Sequence, residues 1–298
     1  MRAQRTIARS VTVSGTGIHT GAPAVVRLFA APVNSGITFR RVDVPGAEAI
    51  PARLDEVVGT ARGLILGRAV HIVTVEHLLS AARGLRIDNL LVEVDGEELP
   101  CGDGSAQIFV DALRDAGAVD QGAPLDPICL DAPVWASAPA RMIAAFPSSQ
   151  FGVTCVATAD GTGLEPQIAE FFEDRDDYDH AIAPARTWGM ASELASLRAR
   201  GQARGASLAT VLAIGPEGYI NAPRFANELA RHKVLDVIGD LMLLGRPLRA
   251  HVVAVRAGHD LHIALAREIA KKMRDARGAG AKGRRHETTV RDQGAGSH

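Results

Sequence analysis

Glu228-Leu229-Ala230-Arg231-His232-Lys233-Val234-Leu235-Asp236-Val237-Ile238-Gly239-Asp240 reads as an uninterrupted helix. Its Glu, Leu, Ala, Arg and Lys are good helix formers, and no proline follows until Pro247. Side chains four apart stack on one face of a helix, so His232, Asp236 and Asp240 form one row. Val234, Leu235, Ile238, Leu241 and Met242 fall on the other side, where they can pack into a core. A His and a carboxylate one turn apart are a ready pair of metal ligands, and a second carboxylate further on can orient what binds there. Taken alone, such a row is ordinarily a solvated polar face with an i,i+4 His–Asp hydrogen bond. A zinc site needs a third protein ligand from elsewhere in the chain.

The chain has 298 residues, enough for one large or two medium domains with a real core. Hydrophobic residues make up 47% and charged residues 22%, as in ordinary globular proteins. A formal net charge of −1 provides no general attraction to nucleic acid, and 4% aromatics argue against a base-stacking surface. Met1 to Thr6 has no apolar core of a signal peptide, and no run is long and apolar enough to span a bilayer. A cytoplasmic protein is therefore expected. Cys101, Cys129 and Cys155 are scattered, odd in number and without a Cys-x-x-Cys, so they make neither a disulfide framework nor a thiolate zinc site. Any metal here must use His and carboxylate.

Thr6 to Val13 reads as a strand, leading into Gly15-Thr16-Gly17-Ile18-His19-Thr20-Gly21. Three glycines in seven residues mark a specially shaped turn, and Ala24 to Phe29 looks like the return strand of a hairpin. No helix follows, so this is not a dinucleotide fingerprint. His19, at the tip, reads by itself as a surface histidine. After a strand at Ile37 to Arg41, Thr74 is placed to cap a short helix that Gly84 ends, with Glu76 and His77 in its first turn. A strand over Asn89 to Val94 precedes Asp103-Gly104-Ser105, which caps a helix through Leu113. Gln121 to Pro127 is a Gly/Pro linker and sets the domain boundary, giving a first domain over 1–122 and a second over 127–274.

The second half offers strands at Ile128 to Leu130, Met142 to Phe146 and Gly152 to Ala157, then an acidic stretch from Glu170 to Asp179. A helix-like segment at Glu193 to Arg200 and a strand-like one at Leu208 to Ile214 precede the opening helix. Strand His251 to Val255, a glycine turn carrying His259, and a helix from Leu261 to Arg274 close the domain. The basic, low-complexity tail over 275–298 reads as disordered. Each half mixes antiparallel strands with two helices, an α+β pattern rather than a βαβ alternation. If the halves are a pseudo-repeat with the 74–83 and 227–244 helices facing each other, His77 comes toward His232 and Asp236.

His77, His232 and Asp236 are then two imidazoles and one carboxylate with a fourth position open, the pattern of a catalytic zinc. Glu76 stands beside a ligand as a candidate general base, and His259 as a candidate acid or fixed positive charge.

These residues lie in motifs that resemble the UDP-3-O-acyl-N-acetylglucosamine deacetylases of lipid A synthesis. The motifs are Gly15 to Gly21, Thr74-Val75-Glu76-His77-Leu78, Asp103-Gly104-Ser105, Arg186-Thr187-Trp188-Gly189, Arg231 to Asp240 and Ala257-Gly258-His259, in the family's order over residues 4–270. The resemblance implies Zn2+ held by His77, His232 and Asp236, with Glu76 as general base. It further implies that His259 is the proton donor, that Asp240 orients it, and that the Thr187 hydroxyl lies near the scissile carbonyl. Lys233 and His19 match substrate-contacting positions. The implied fold is two similar α+β halves packed helix layer to helix layer, each with a small insert. The insert over about 188–220 corresponds to an apolar passage for the acyl chain, placing Trp188, Met190 and Leu194 along it. The expected substrate is the nucleotide sugar, the expected products acetate and a free amine. The chain is expected to act as a monomer with transient membrane-surface contact through the acyl chain, and without nucleic acid. Another zinc amidase acting on a different acylated amino sugar is the alternative. The chain departs from the family at Trp188, usually Phe, and over Gly205 to Gly215, where paired glycines and acidic residues are usual. Leu197 and Leu212 are expected only to pack the insert on itself.

Overall fold

The computed structural model describes residues 2–290, with side chains described as far as residue 275. Its helices are α1 (Glu76–Gly84), α2 (Gln107–Ala116), α3 (Tyr178–Ala181), α4 (Leu194–Ala199), α5 (Glu228–Leu241) and α6 (His259–Val290). The fold is α+β with mainly antiparallel sheets, as expected. One sheet orders strands Val11–Thr16, Pro23–Ala30, Leu90–Asp95, Ile37–Arg41 and Ile50–Pro51 as neighbours. A second orders Val134–Ala138, Arg141–Pro147, Leu248–Val255, Gly152–Ala157 and Gln167–Phe172. Both sheets place their single parallel pairing along this path at the same point, between third and fourth neighbours.

Burial alternates along the strands as a one-faced sheet requires. Leu248, Ala250, Val252 and Ala254 point inward, as do Ala24, Val26 and Leu28. α5 packs on strands Gly152–Ala157 and Gln167–Phe172 and meets α1 on its other side. Eight of α1's nine residues are buried, Glu76 and His77 among them. The row on α5 is not a solvated face: His232 is 3%, Asp236 2% and Asp240 0% exposed. Burying charged groups costs several kcal/mol per ion unless they are paired, so this row needs partners that its own helix cannot supply.

Several local expectations are revised. The expected strand over Thr6 to Val13 is two strands, Ala3–Ile7 and Val11–Thr16. The first pairs with Ala118–Pro124, so much of the supposed linker is a strand. Hydrogen bonding to an edge from the chain's start overrides the turn propensity of Gly122 and Pro124. The acidic stretch hides strand Gln167–Phe172, whose buried Ala169 and Phe171 alternate with exposed Ile168 and Glu170. Thr74 does not cap α1. It sits in the left-handed region at φ 61°, and its hydroxyl donates to Glu98 instead. Gly84 ends α1 as a helical residue because its α-hydrogen faces the Tyr178 ring, where a Cβ would come within 2.2 Å. The left-handed residue beyond that helix is Arg86. His259 is not in a free turn but begins α6. That helix runs past Arg274, so residues 275–290 of the expected disordered tail are helical. Ala, Arg, Lys and Glu favour helix, and an existing helix extends without a new nucleus. Residues 291–298 lie outside the described residues.

The crossing of α1 over α5 depends on Gly239. A Cβ there would stand 2.2 Å from the Glu76 carbonyl oxygen. Gly239→Ala must push the two helices apart at the level of Glu76 and His77. The expected result is a loss of about 1–3 kcal/mol, the usual cost of overpacking, read as a lower denaturant midpoint. An unchanged midpoint would show that the crossing has slack.

Candidate active site

Three elements bring the candidate residues together. α1 starts with Glu76 and His77, α5 carries His232, Asp236 and Asp240, and α6 starts with His259. His232 Nε2 lies 3.4 Å from Asp236 Oδ1, and the His77 and His232 rings meet edge-on at 5.2 Å. One donor atom from each of His77, His232 and Asp236 lies within 4.8 Å of the others. The facing-helix guess from the sequence therefore brings together the side chains it was meant to.

The imidazoles are aimed from behind. His77 Nδ1 is 3.3 Å from the Ser105 carbonyl and His232 Nδ1 3.0 Å from the Ala185 carbonyl. A carbonyl only accepts, so each Nδ1 carries the proton and each Nε2 lone pair is left for a ligand. Those two carbonyls belong to segments that bond each other, Ala106 N donating to Ala183 O and Thr187 N to Gly104 O. Asp103-Gly104-Ser105 thus does more than cap: together with the segment Ala183 to Thr187 it holds both rings. Burial, reinforced by His232, lowers His77 to about 4, and burial also lowers His232. Both are neutral imidazoles at pH 7, as metal ligation requires. Burial opposes charge on Asp236, but Lys233, whose Nζ lies 2.9 Å from Oδ2, and the cationic His259 hold it well below the usual carboxylate range. Two neutral imidazoles and a carboxylate are a donor set that could hold a metal ion.

Glu76 is fixed by one oxygen. Leu64 N donates to Oε2 at 3.0 Å, and Oε1 lies 4.0 Å from His259 Nε2. Burial pushes Glu76 up to about 7; His259 opposes the rise while Asp240 and Asp236 add to it. His259 is the reverse case. Burial opposes its charge, but Asp240, Asp236 and Glu76 outweigh burial and raise it to about 10. Its Nδ1 is 2.7 Å from Asp240 Oδ2, and its Nε2 is 4.0 Å from Asp236. A carboxylate near neutrality beside a cationic histidine is an acid–base pair with the two roles separated by environment.

These groups line a cavity of about 610 Å³. Every candidate residue lines it except Asp240, which lies behind His259. Thr187 enters from the strand start at Trp188–Met190, which runs parallel to Leu212–Gly215. Trp188, Met190 and Leu194 form one wall together with Leu208 and Val211. Leu197 also lines the cavity, against expectation, whereas Leu212 is fully buried away from it, as expected. Lys233 Nζ lies 5.7 Å from the Trp188 ring centroid, within cation–π range. His19 is half-buried rather than a surface residue. Its Nε2 is 3.1 Å from the Arg62 carbonyl, and its turn is held by buried Glu98, which accepts from His19 N and Thr20 N.

Sequence reading missed Glu98, the buried Arg186–Glu228 ion pair at 2.8 Å, and His262. Only His262 carried a signal, its i,i+3 spacing from His259 on a helix. Glu98, Arg186 and Glu228 mattered through contacts distant in sequence.

The equipment described, a donor set for a metal with a base and an acid beside it, belongs to the hydrolytic enzymes. Residues 4–271 match the family model of UDP-3-O-acyl N-acetylglycosamine deacetylase. The UDP-3-O-acyl-N-acetylglucosamine deacetylase of Chlamydia abortus is 40% identical over 272 residues, covering 90% of this chain and 97% of that protein. The deacetylase of the same name from Trichormus variabilis is 38% identical, covering 89% of this chain and 98% of its own. That of Bdellovibrio bacteriovorus is 35% identical, with 89% of each covered. The chain belongs to the UDP-3-O-acyl N-acetylglycosamine deacetylase family and is an amide hydrolase. No helix among the described residues is long and apolar enough to cross a membrane.

Proposed function

We propose that this protein removes the N-acetyl group of UDP-3-O-acyl-N-acetylglucosamine in a zinc-dependent hydrolysis, a committed step of lipid A biosynthesis in the cytoplasm. One observation carries the reading. The candidate amide-cleaving groups line the same cavity as the apolar side chains Trp188, Met190, Leu194, Leu208 and Val211. The matching order and pairing sense of the two sheets also support two similar halves, 1–122 and 127–274; the insert over about 188–220, with its own small sheet, is read as the acyl passage from the apolar side chains it gives to the cavity.

His77, His232 and Asp236 would hold Zn2+. Bound there, zinc would supply Lewis acidity and make a water more acidic, toward a pKa of about 7. Glu76, steadied by Leu64 N, takes a proton from the attacking water through its free Oε1. The Thr187 hydroxyl donates to the oxygen that gains charge as the carbonyl becomes tetrahedral. His259, kept charged by Asp240, gives its Nε2 proton to the departing nitrogen. Water and amide become acetate and a free amine. Lys233 and His19, which both line the cavity, contact the sugar nucleotide.

Acetate release from UDP-3-O-acyl-N-acetylglucosamine, compared with other acylated amino sugars, tests this directly. A preference for another sugar would replace the substrate but keep the chemistry.

Each methylene removed from water is worth about 0.8 kcal/mol, so a chain of several carbons should dominate binding. Trp188 directly follows Thr187 and lies on the cavity wall. Trp188→Ala is expected to lower kcat/KM for long-chain substrates more than for short ones. Equal effects across chain lengths would place the passage elsewhere.

A further inference from the structure

We propose that His262 is a positioning residue for this reaction: it holds the Asp240 carboxylate so that Asp240 can hold His259. The inference rests on the reading of His259 as the acid. His259 and His262 lie three apart in the first turn of α6 and so share one face of that helix. Both bond the same oxygen. His259 Nδ1 and His262 Nδ1 each lie 2.7 Å from Asp240 Oδ2, and a carboxylate oxygen has two lone pairs to accept both. Asp240 Oδ1 is buried and has no hydrogen-bond partner among the described residues. The two imidazoles are therefore the carboxylate's only hydrogen-bond anchors among those residues.

Without His262, Asp240 would be oriented only by the histidine it is meant to orient. A carboxylate held by one bond can rotate about its Cβ–Cγ axis, and His259 could turn with it. Bonded from two fixed points on one helical turn, Oδ2 cannot move without breaking a bond. Outside its cluster with Asp240 and His259, the His262 side chain has no hydrogen-bond partner among the described residues, and its Nε2 is buried and unpaired. It is 0% exposed, does not line the cavity and does not belong to the His77, His232, Asp236 donor set. A buried histidine in the core of an α+β fold carries a polar desolvation cost that a leucine would not. Donation to Asp240 is the return visible in the structure.

Asparagine and glutamine separate this role from simple packing. The amide nitrogen of Asn falls where Nδ1 of His was, whereas that of Gln falls near Nε2. His262→Leu is expected to lower kcat by roughly 10–100-fold, the usual effect of losing an outer partner of a site residue. KM and zinc content should stay near those of the parent. His262→Asn should recover most of the loss and His262→Gln little of it. In the metal-free protein, the NMR signal of the His259 Nδ1 proton should broaden in His262→Leu and sharpen again in His262→Asn. In the Asp240→Ala background, His262→Leu should have almost no further effect on kcat. Equal rescue by Asn and Gln, or additive losses with Asp240→Ala, would overturn the proposal. His259→Gln distinguishes the levels. A loss there with parental kcat in His262→Leu overturns this proposal alone, whereas parental kcat in His259→Gln overturns both it and the acid assignment.

Discussion

Glu76→Ala is expected to lower deacetylation by ~10²–10⁴-fold, the usual worth of a general base, while the protein keeps its zinc. Retention follows from geometry. Glu76 is not one of the three converging donors, and its Oε2 is already committed to Leu64 N. The loss follows from the other oxygen. Oε1 is the unbonded carboxylate oxygen facing His259, and burial has raised Glu76 to about 7, close to where a base works best at neutral pH. Truncation also removes a negative charge facing His259, so the variant should be assayed over pH to confirm that the loss is not a displaced optimum. Turnover near that of the parent, with zinc retained, would remove Glu76 from the mechanism. Loss of zinc in the same variant would move Glu76 into the metal's coordination.

His232→Ala should abolish activity by a different route, through the metal. The parent is expected to hold about one zinc per chain, because a catalytic site uses three protein ligands. His232 is the middle of the three: its ring meets His77 at 5.2 Å, and its Nε2 lies 3.4 Å from Asp236. Its removal leaves an imidazole and a carboxylate from different helices. Metal analysis after dialysis should show most zinc lost, and added zinc should restore little activity. Full occupancy in His232→Ala would exclude it as a ligand. The variant should still fold, because deleting His232 removes a buried neutral ring rather than a charge.

The residue types in the candidate site were legible because chemistry constrains them tightly. His232, Asp236 and Asp240 share a helix face by spacing alone, and His77 completes a donor set only if another helix faces that row. The α+β class was legible from strands followed by helices. The α5 core side was legible from Val234, Leu235 and Ile238. Whether the polar row was solvated or buried could not be read locally, since the same i,i+4 spacing serves both. The 2% exposure of Asp236 is decided by α1 crossing at Gly239. The strand Ala118–Pro124 looked like a linker because its hydrogen bonds go to Ala3–Ile7 at the far end of the chain. Thr74 looked like a cap because its partner, Glu98, is likewise remote in sequence. His262 was passed over because its i,i+3 spacing from His259 acquires meaning only from Asp240, the side chain that both meet. Local propensity is short-ranged, so it names elements and faces. Burial, hydrogen-bond partners and the protonation of Glu76 and His259 depend on groups the fold brings from elsewhere, and only the packed chain decides them.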